Sequence, residues 1–499
     1  MQPGHHRDVR IAIIGSGFSG LCLGIQLRKA GFHAFTILEK SDRLGGTWRD
    51  NSYPGAACDV PSFSYCFSFE QKTDWTRKWA PQSEILAYME HCARKYEVLP
   101  HIRFGTEVAG ATFDEAAGTW RVRTTGGETI EAEILVSGVG QLHKPYIPEL
   151  PGLADFQGPW FHSARWNHDV ALEGKTIGVI GNAASAVQFV PEIARRAARV
   201  VVFQRSANWM LPRRDRAYTD RERWVFRHVP GAARLYRWYI WGMLEARYPL
   251  FRGSPFLRRQ VEKYAKAYIR EATGDADLRR ALVPDYPPGA RRLLVSDDYY
   301  RALARDDVDL VTDPIDRISS DAVHTRDGRA HEVDVLVLAT GFDTTHFLAP
   351  ADLTGLAGRS LQAAWTNGAR AYLGMTVPHF PSFFLMYGPN TNLGHNSILF
   401  MIECQARYIV ACARELRESG AAYLDLRPEA LEAYDQELQD ELERTVWART
   451  DHSWYKRADG RITNNWSGTT ARYWWRTRKP DFTAYRRGPR RAPAADATR

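Results

Sequence analysis

Two residues of opposite charge stand at matching places in two separate stretches of the chain. Glu39 lies 24 positions after Gly15, and Arg205 lies 24 positions after Gly181. Each follows the same succession of apolar run, glycine turn, helical segment and second apolar run. The first turn is Gly15-Ser16-Gly17-Phe18-Ser19-Gly20, and the second is Gly181-Asn182-Ala183-Ala184-Ser185-Ala186. Such a turn uses glycine for tight geometry and close backbone approach to a pyrophosphate, which rests on the amide-rich end of the next helix. The side chain closing the second strand then reaches the adenosine ribose. A carboxylate there accepts from a 2'-hydroxyl and repels a 2'-phosphate, so Glu39 reads FAD or NAD. A guanidinium pairs with a 2'-phosphate, so Arg205 reads NADPH. One site of each kind implies a flavoenzyme reduced by NADPH. The second turn departs from the pattern at Ala183, where the middle glycine normally admits the pyrophosphate; Gly181 and Ser185 remain cofactor contacts, and a small backbone shift is expected to accommodate the methyl group.

The elements that must hold these residues define an α/β chain with two Rossmann-like dinucleotide-binding domains, both discontinuous, and a helical insertion. Residues 1–150 and 386–499 are expected to form the FAD-binding domain, and 151–213 with 291–385 the NADPH-binding domain. Proline-rich residues 144–152 read as the linker between them. Residues 214–290 read as the insertion, because Arg, Trp and Tyr recur there at helical intervals. Its aromatic stripe is expected to be buried against the domain, a membrane-facing patch being the alternative. The arginine- and proline-rich residues 486–499 read as a disordered tail.

Composition narrows the class further. With 499 residues, 44% hydrophobic and 25% charged, the chain is an ordinary globular protein of several domains. No apolar run reaches the roughly 18 to 20 residues of a membrane span, and residues 1–10 lack the apolar core of a signal peptide. A cytoplasmic protein is expected. The formal charge of +8 is read as a property of the tail, since residues 471–499 carry nine Lys or Arg against two Asp; nucleic acid is therefore not expected as a partner. Six scattered cysteines without a CxxC spacing fit reduced thiols and count against a redox dithiol beside the flavin. No metal-ligand spacing occurs.

Between the two units lies Gly45-Gly46-Thr47-Trp48, followed by Tyr53-Pro54-Gly55 and Asp59. This resembles the long fingerprint of type I Baeyer-Villiger monooxygenases, a family of the flavin-containing monooxygenase superfamily. Phe156, Gly158, His162 and Trp166 resemble its second signature, with Asn167 where Pro or Asp is usual. Related amine- and sulfur-oxidising enzymes end that signature in Tyr or Phe, so Trp166 favours the Baeyer-Villiger branch. Residues 339–342, 387–396 and Gly289-Ala290-Arg291-Arg292 are also similar, and the likeness covers about residues 10 to 485.

The resemblance implies a reaction in which NADPH reduces FAD, dioxygen adds to it, and an anionic peroxyflavin inserts one oxygen atom next to a ketone carbonyl, giving an ester or lactone. It implies Arg292 as the fixed cation of the site, gripped by a bidentate pair with Asp59, with Arg291 as a solvated neighbour. It also implies cofactor contacts from Gly46, Thr47, Trp48, Asp59 and Asn396, in addition to Gly15, Gly17, Gly20 and Glu39. His162 is assigned to the linker between domains rather than to the chemistry. The alternative activity is N- or S-oxygenation. Which ketone is used and the oligomeric state stay open.

Overall fold

The computed structural model describes residues 8–344, 348, 351–449, 455–457 and 459–489. Two five-stranded parallel sheets organise it. In the first, the order is Phe383–Leu385, Ile134–Ser137, Ile11–Ile14, Phe35–Leu38, Ile102–Arg103. In the second it is Val308–Val311, Arg199–Phe203, Thr176–Ile180, Val335–Leu338, Trp160–His162. The strands are short runs rich in Val, Ile and Leu. Ile11–Ile14, Ile134–Ser137 and Val335–Leu338 are buried at every residue, as parallel strands covered on both faces must be.

The first strand of each nucleotide unit sits at the centre of its sheet and feeds a helix. Helix α1 (Phe18–Lys29) follows Gly17, and α2 (Ala184–Ile193) follows Ala183. Further helices are α3 (Ala232–Glu245) in the insertion, α4 (Ile398–Ser419) and α5 (Thr470–Thr477). α4 packs on both α1 and α5, which closes the first unit.

Three expectations about organisation need correction. The chain returns to the first unit before residue 386, because Asp352–Thr354 pairs with Val108–Asp114 and Phe383–Leu385 pairs with Ile134–Ser137. The tail does not begin at 486, since Tyr485–Arg487 forms a strand against Leu424–Leu426; residues 490–499 lie outside the described residues. The aromatic stripe of the insertion is only partly buried. Ala233, Ile240 and Leu244 join the core of the first unit, whereas Leu235, Trp238 and Tyr239 on the same helix face outward.

The insertion contributes to both cores. Leu250 and Phe251 pack with the first unit, and Tyr268, Ile269 and Leu282 with the second. It therefore clamps the two units together instead of decorating one of them.

Candidate functional site

Each turn is tight at the glycines that hold its backbone against a neighbouring carbonyl. Gly15 has φ +95°, and a Cβ on Gly20 would sit 2.0 Å from the Gly15 carbonyl oxygen, so α1 packs directly on the turn. Gly17 and Gly46 face each other across the mouth, where a Cβ on Gly46 would lie 3.2 Å from Gly17 Cα. The absence of side chains on both leaves backbone amides as the lining, which fits a pyrophosphate.

Glu39 closes this cradle and is 4% exposed. It accepts from Ser16 N at 3.0 Å, Ser16 Oγ at 2.7 Å and Ser41 N at 3.0 Å. The Ser16 groups meet Oε2, and Arg49 Nη1 lies 3.1 Å from Oε1, the oxygen that Ser41 N also meets. Burial acts to raise its pKa, but the Ser16 and Ser41 donors and the Arg49 charge outweigh that and hold Glu39 below the usual carboxylate range. Glu39 is thus ionised where it closes the turn. Arg49 escapes sequence reasoning, because its position in the fingerprint has no defined residue type. A cleft of about 440 Å³ beside it is lined by Lys40, Arg43, Arg49, Asp50, Arg165 and Trp166.

The second cradle repeats the first. Gly181 has φ +104°, and a Cβ there would lie 2.5 Å from the Ala339 carbonyl oxygen. Ala183 takes φ −91° and ψ −157°, close to the −71° and −169° of its counterpart Gly17. That is extended backbone open to any residue, and the Ala183 methyl group is exposed. Arg205 is exposed at the end of its strand with no ion-pair partner among the described residues. Arg291 approaches the same end: its Nη1 donates to Ser206 Oγ at 2.7 Å and its guanidinium lies 4.4 Å from the Tyr286 ring centroid. The expected solvated neighbour is a stacked and hydrogen-bonded cation.

The fingerprint from Gly45 to Asp59 joins the two units. Tyr53 OH donates to Gln188 Oε1 at 3.0 Å, Ala57 N donates to the same oxygen at 3.2 Å, and Gln188 Nε2 donates to Ala57 O at 2.9 Å. Gly55 passes so close to α2 that a Cβ would lie 2.6 Å from Gln188 O. Tyr53 also packs on Phe189, which Trp166 meets from the other side at 5.2 Å. The two signatures therefore meet on one helix. Gln188 was not singled out from the sequence; it becomes visible only when α2 is docked, two residues from the cradle.

Two residues beyond Ala57, Asp59 meets Arg292. Arg292 Nε donates to Asp59 Oδ2 at 2.8 Å, and Nη2 donates to the same oxygen. The pair is a fork on one oxygen rather than the expected bidentate match on two. The Asp59 charge raises Arg292 above its ordinary pKa against the opposing effect of burial. Arg292 is thus a permanent cation, 38% exposed at its side chain. Two phenols feel its charge, half-buried Tyr387 and buried Tyr455: desolvation pushes Tyr387 up to about 12 and raises Tyr455 above its ordinary value, with Arg292 pulling both downward. Trp48 is half-buried, and its Nε1 donates to Tyr65 OH at 3.1 Å.

Asn396 is held by protein contacts at both ends of its amide. Its Nδ2 donates to Glu245 Oε1 at 2.8 Å, and Ser397 N donates to its Oδ1 at 2.8 Å. The same Glu245 oxygen accepts from Thr470 Oγ1 at 2.6 Å and lies 3.2 Å from His395 Nε2. Glu245, missed in the sequence among the helical aromatics, anchors the insertion to residues 395–396 and to α5. His162 is 4% exposed and accepts from Ala164 N through Nδ1 at 3.1 Å. Burial lowers its pKa to about 4, so it is neutral at physiological pH and built into the end of its strand.

Residues 8–223 match the family described as FMO-like, flavin-binding monooxygenase-like. A Baeyer-Villiger monooxygenase of Streptomyces coelicolor is 41% identical over 482 residues, 96% of this chain and 93% of the relative. Among solved structures, an oxidised steroid monooxygenase bound to NADP superposes with a TM-score of 0.85 at 29% identity, covering 97% of this chain and all of that one. An OTEMO complex with FAD and NADP superposes at 0.86 with 25% identity, covering 96% and 99%. Paired glycine-turn cradles on parallel sheets, bridged by a half-buried fingerprint loop, define a flavin-binding monooxygenase. Within that class, the chain belongs to the Baeyer-Villiger monooxygenase family.

Proposed function

We propose that this chain uses NADPH and dioxygen to insert one oxygen atom next to the carbonyl of a small-molecule ketone, giving an ester or lactone. The observation that carries the reading is the Arg292–Asp59 ion pair, which joins a cation of the second unit to the fingerprint loop of the first. When bound, FAD supplies the oxygen chemistry and NADPH the electrons. The Gly15, Gly17, Gly20 and Gly46 cradle with Glu39 is suited to FAD, and the Gly181, Ala183, Ser185 cradle with Arg205 to NADPH. Thr47 and Trp48 follow the facing glycine and are assigned to the flavin side.

Arg292 is the fixed positive charge of the reaction. Negative charge grows on the substrate oxygen as the new bond forms, and a preorganised guanidinium stabilises it with no reorganisation. Asp59 orients that guanidinium. The phenols of half-buried Tyr387 and buried Tyr455 stay protonated near the ion pair. The fingerprint loop, through Gln188, sets the register between the units and so the placement of Arg292. In this reading the FAD-binding unit comprises residues 1–150 and those from 351 onward, the NADPH-binding unit 151–213 and 291–344, and the insertion 214–290. A cytoplasmic location completes it, supported by six free, buried cysteines.

The test is product analysis with labelled dioxygen across ketones and sulfides. One label atom in an ester or lactone is the expected result. Sulfoxide formation with no ester from any ketone overturns the reading in favour of heteroatom oxygenation.

A further inference from the structure

The outer side of the insertion has no part in the chemistry described above. On α3, Leu235, Trp238 and Tyr239 are 73%, 57% and 65% exposed, and Met243 extends the same stripe along the helix. α5 exposes Trp474 and Trp475. The two helices abut, because Trp241 Nε1 donates to Thr470 Oγ1 at 3.0 Å, at the first residue of α5. The Trp241 ring lies 5.5 Å from Trp238 and 6.3 Å from Phe400 of α4. Farther along α4, the Arg407 guanidinium lies 5.7 Å from the Trp474 ring centroid, and Arg478 sits 3.3 Å from that of Trp475. The aromatic residues of α3, α4 and α5 thus form one surface arc.

Charge accompanies the arc. Residues 214–290 hold 16 Lys and Arg against nine Asp and Glu, a net +7, equal to that of residues 471–499. The basic character is therefore shared between insertion and tail, which corrects its assignment to the tail alone. On the arc itself Arg234, Arg407 and Arg478 are exposed. α5 contains no acidic residue, and the one acid of α3, Glu245, is turned inward to His395, Asn396 and Thr470.

We propose that this arc docks the protein on a bilayer surface bearing anionic headgroups. Trp and Tyr combine an apolar ring with a polar edge and favour the boundary between headgroups and acyl chains. Arginines beside them pair with lipid phosphate while their stems stay on the apolar layer. A second copy of the chain is the poorer occupant, because docking the arc on itself brings the exposed Arg234, Arg407 and Arg478 of two copies together. Among the described residues no helix is long and apolar enough to cross a membrane, so the association is with the surface.

The experiment is flotation of the FAD-loaded full chain with vesicles of phosphatidylcholine alone or mixed with phosphatidylglycerol. Flotation with the mixed vesicles is expected, falling by about tenfold with phosphatidylcholine alone or in molar salt. The variant Leu235→Ser, Trp238→Ser, Tyr239→Ser changes only exposed side chains. It should keep its flavin absorbance and lose binding by about tenfold or more. Tryptophan quenching by brominated lipid should be present in the wild type and absent in this variant. No flotation with mixed vesicles at low salt, or equal flotation of the variant, overturns the proposal. A concentration-dependent dimer that the variant abolishes, without lipid binding, reassigns the arc to self-association and overturns it too.

Discussion

Replacing Arg205 by Ala removes an exposed guanidinium that has no ion-pair partner among the described residues. No protein group loses a charge partner, so the substitution reports on the ligand alone. A pair of unit charges 4 Å apart is worth about 1 kcal/mol in water and about 4 kcal/mol at the effective dielectric near a protein surface. A hydrogen bond to a charged group contributes about 1.5 to 3 kcal/mol net. Because Arg205 is exposed, the lower part of that range applies, and Arg291 beside Ser206 supplies part of the field after the substitution. The expected loss is about 1.5 to 2.5 kcal/mol, or roughly 10-fold to 70-fold in apparent NADPH affinity. NADH lacks the 2'-phosphate and should change by less than about threefold. Anaerobic stopped-flow reduction of the flavin by each coenzyme measures both. Equal losses for NADPH and NADH would refute the assignment of Arg205 to the 2'-phosphate.

Three further outcomes follow from named contacts. Gln188→Leu leaves Tyr53 OH, Ala57 N and Ala57 O without their partner; the expected loss is about 2 to 4 kcal/mol of coupling between units. Flavin retention should survive while ester yield per NADPH drops, and Tyr53→Phe should give a milder version; unchanged yield in both variants contradicts the bridging role. His162 has a pKa of about 4 in the fold against 6.5 for the ordinary group, so its stabilising contribution is complete above about pH 6.5 and is lost as pH falls toward 4, in total about 3 kcal/mol. His162→Asn, which can still accept from Ala164 N, should flatten the acid limb of urea denaturation between pH 7 and pH 5; an unaltered limb contradicts the buried neutral state. Ala183→Gly should leave flavin reduction within a fewfold, because Ala183 already has the backbone angles of Gly17. A large gain in NADPH affinity would show that the methyl group obstructs the coenzyme.

Both turns, and the charged residues that follow their second strands, were legible in the sequence because their physics is local. The glycine turns need particular backbone angles and close approaches, and each turn lies within about 24 residues of the charge it serves. Asp59 and Arg292 could be singled out only through the family resemblance, since 233 positions separate them. Gln188 and Glu245 were illegible for the same reason. Each is an ordinary polar residue on an amphipathic helix until a distant loop meets it. The early return of the chain at Asp352–Thr354 was hidden by shortness, because three residues beginning with an acid give no strand period. The stripe on α3 misled because apolar residues cover more than one face of that helix, and periodicity cannot tell which face finds a core.

The central claim is that Arg292 stabilises charge in the oxygenation step while flavin reduction proceeds without it. The direct measurement is ester formed per NADPH consumed, compared with the anaerobic reduction rate, in wild type, Arg292→Ala and Arg292→Lys. Loss of a preorganised charge donor typically costs about 100-fold to 1000-fold. The expected result is near-normal flavin content, persistent reduction and an ester yield lower by at least about 100-fold in Arg292→Ala, with poor rescue by Lys because an ammonium lacks the planar fork that grips Asp59. Wild-type ester yield and rate in Arg292→Ala would contradict the account.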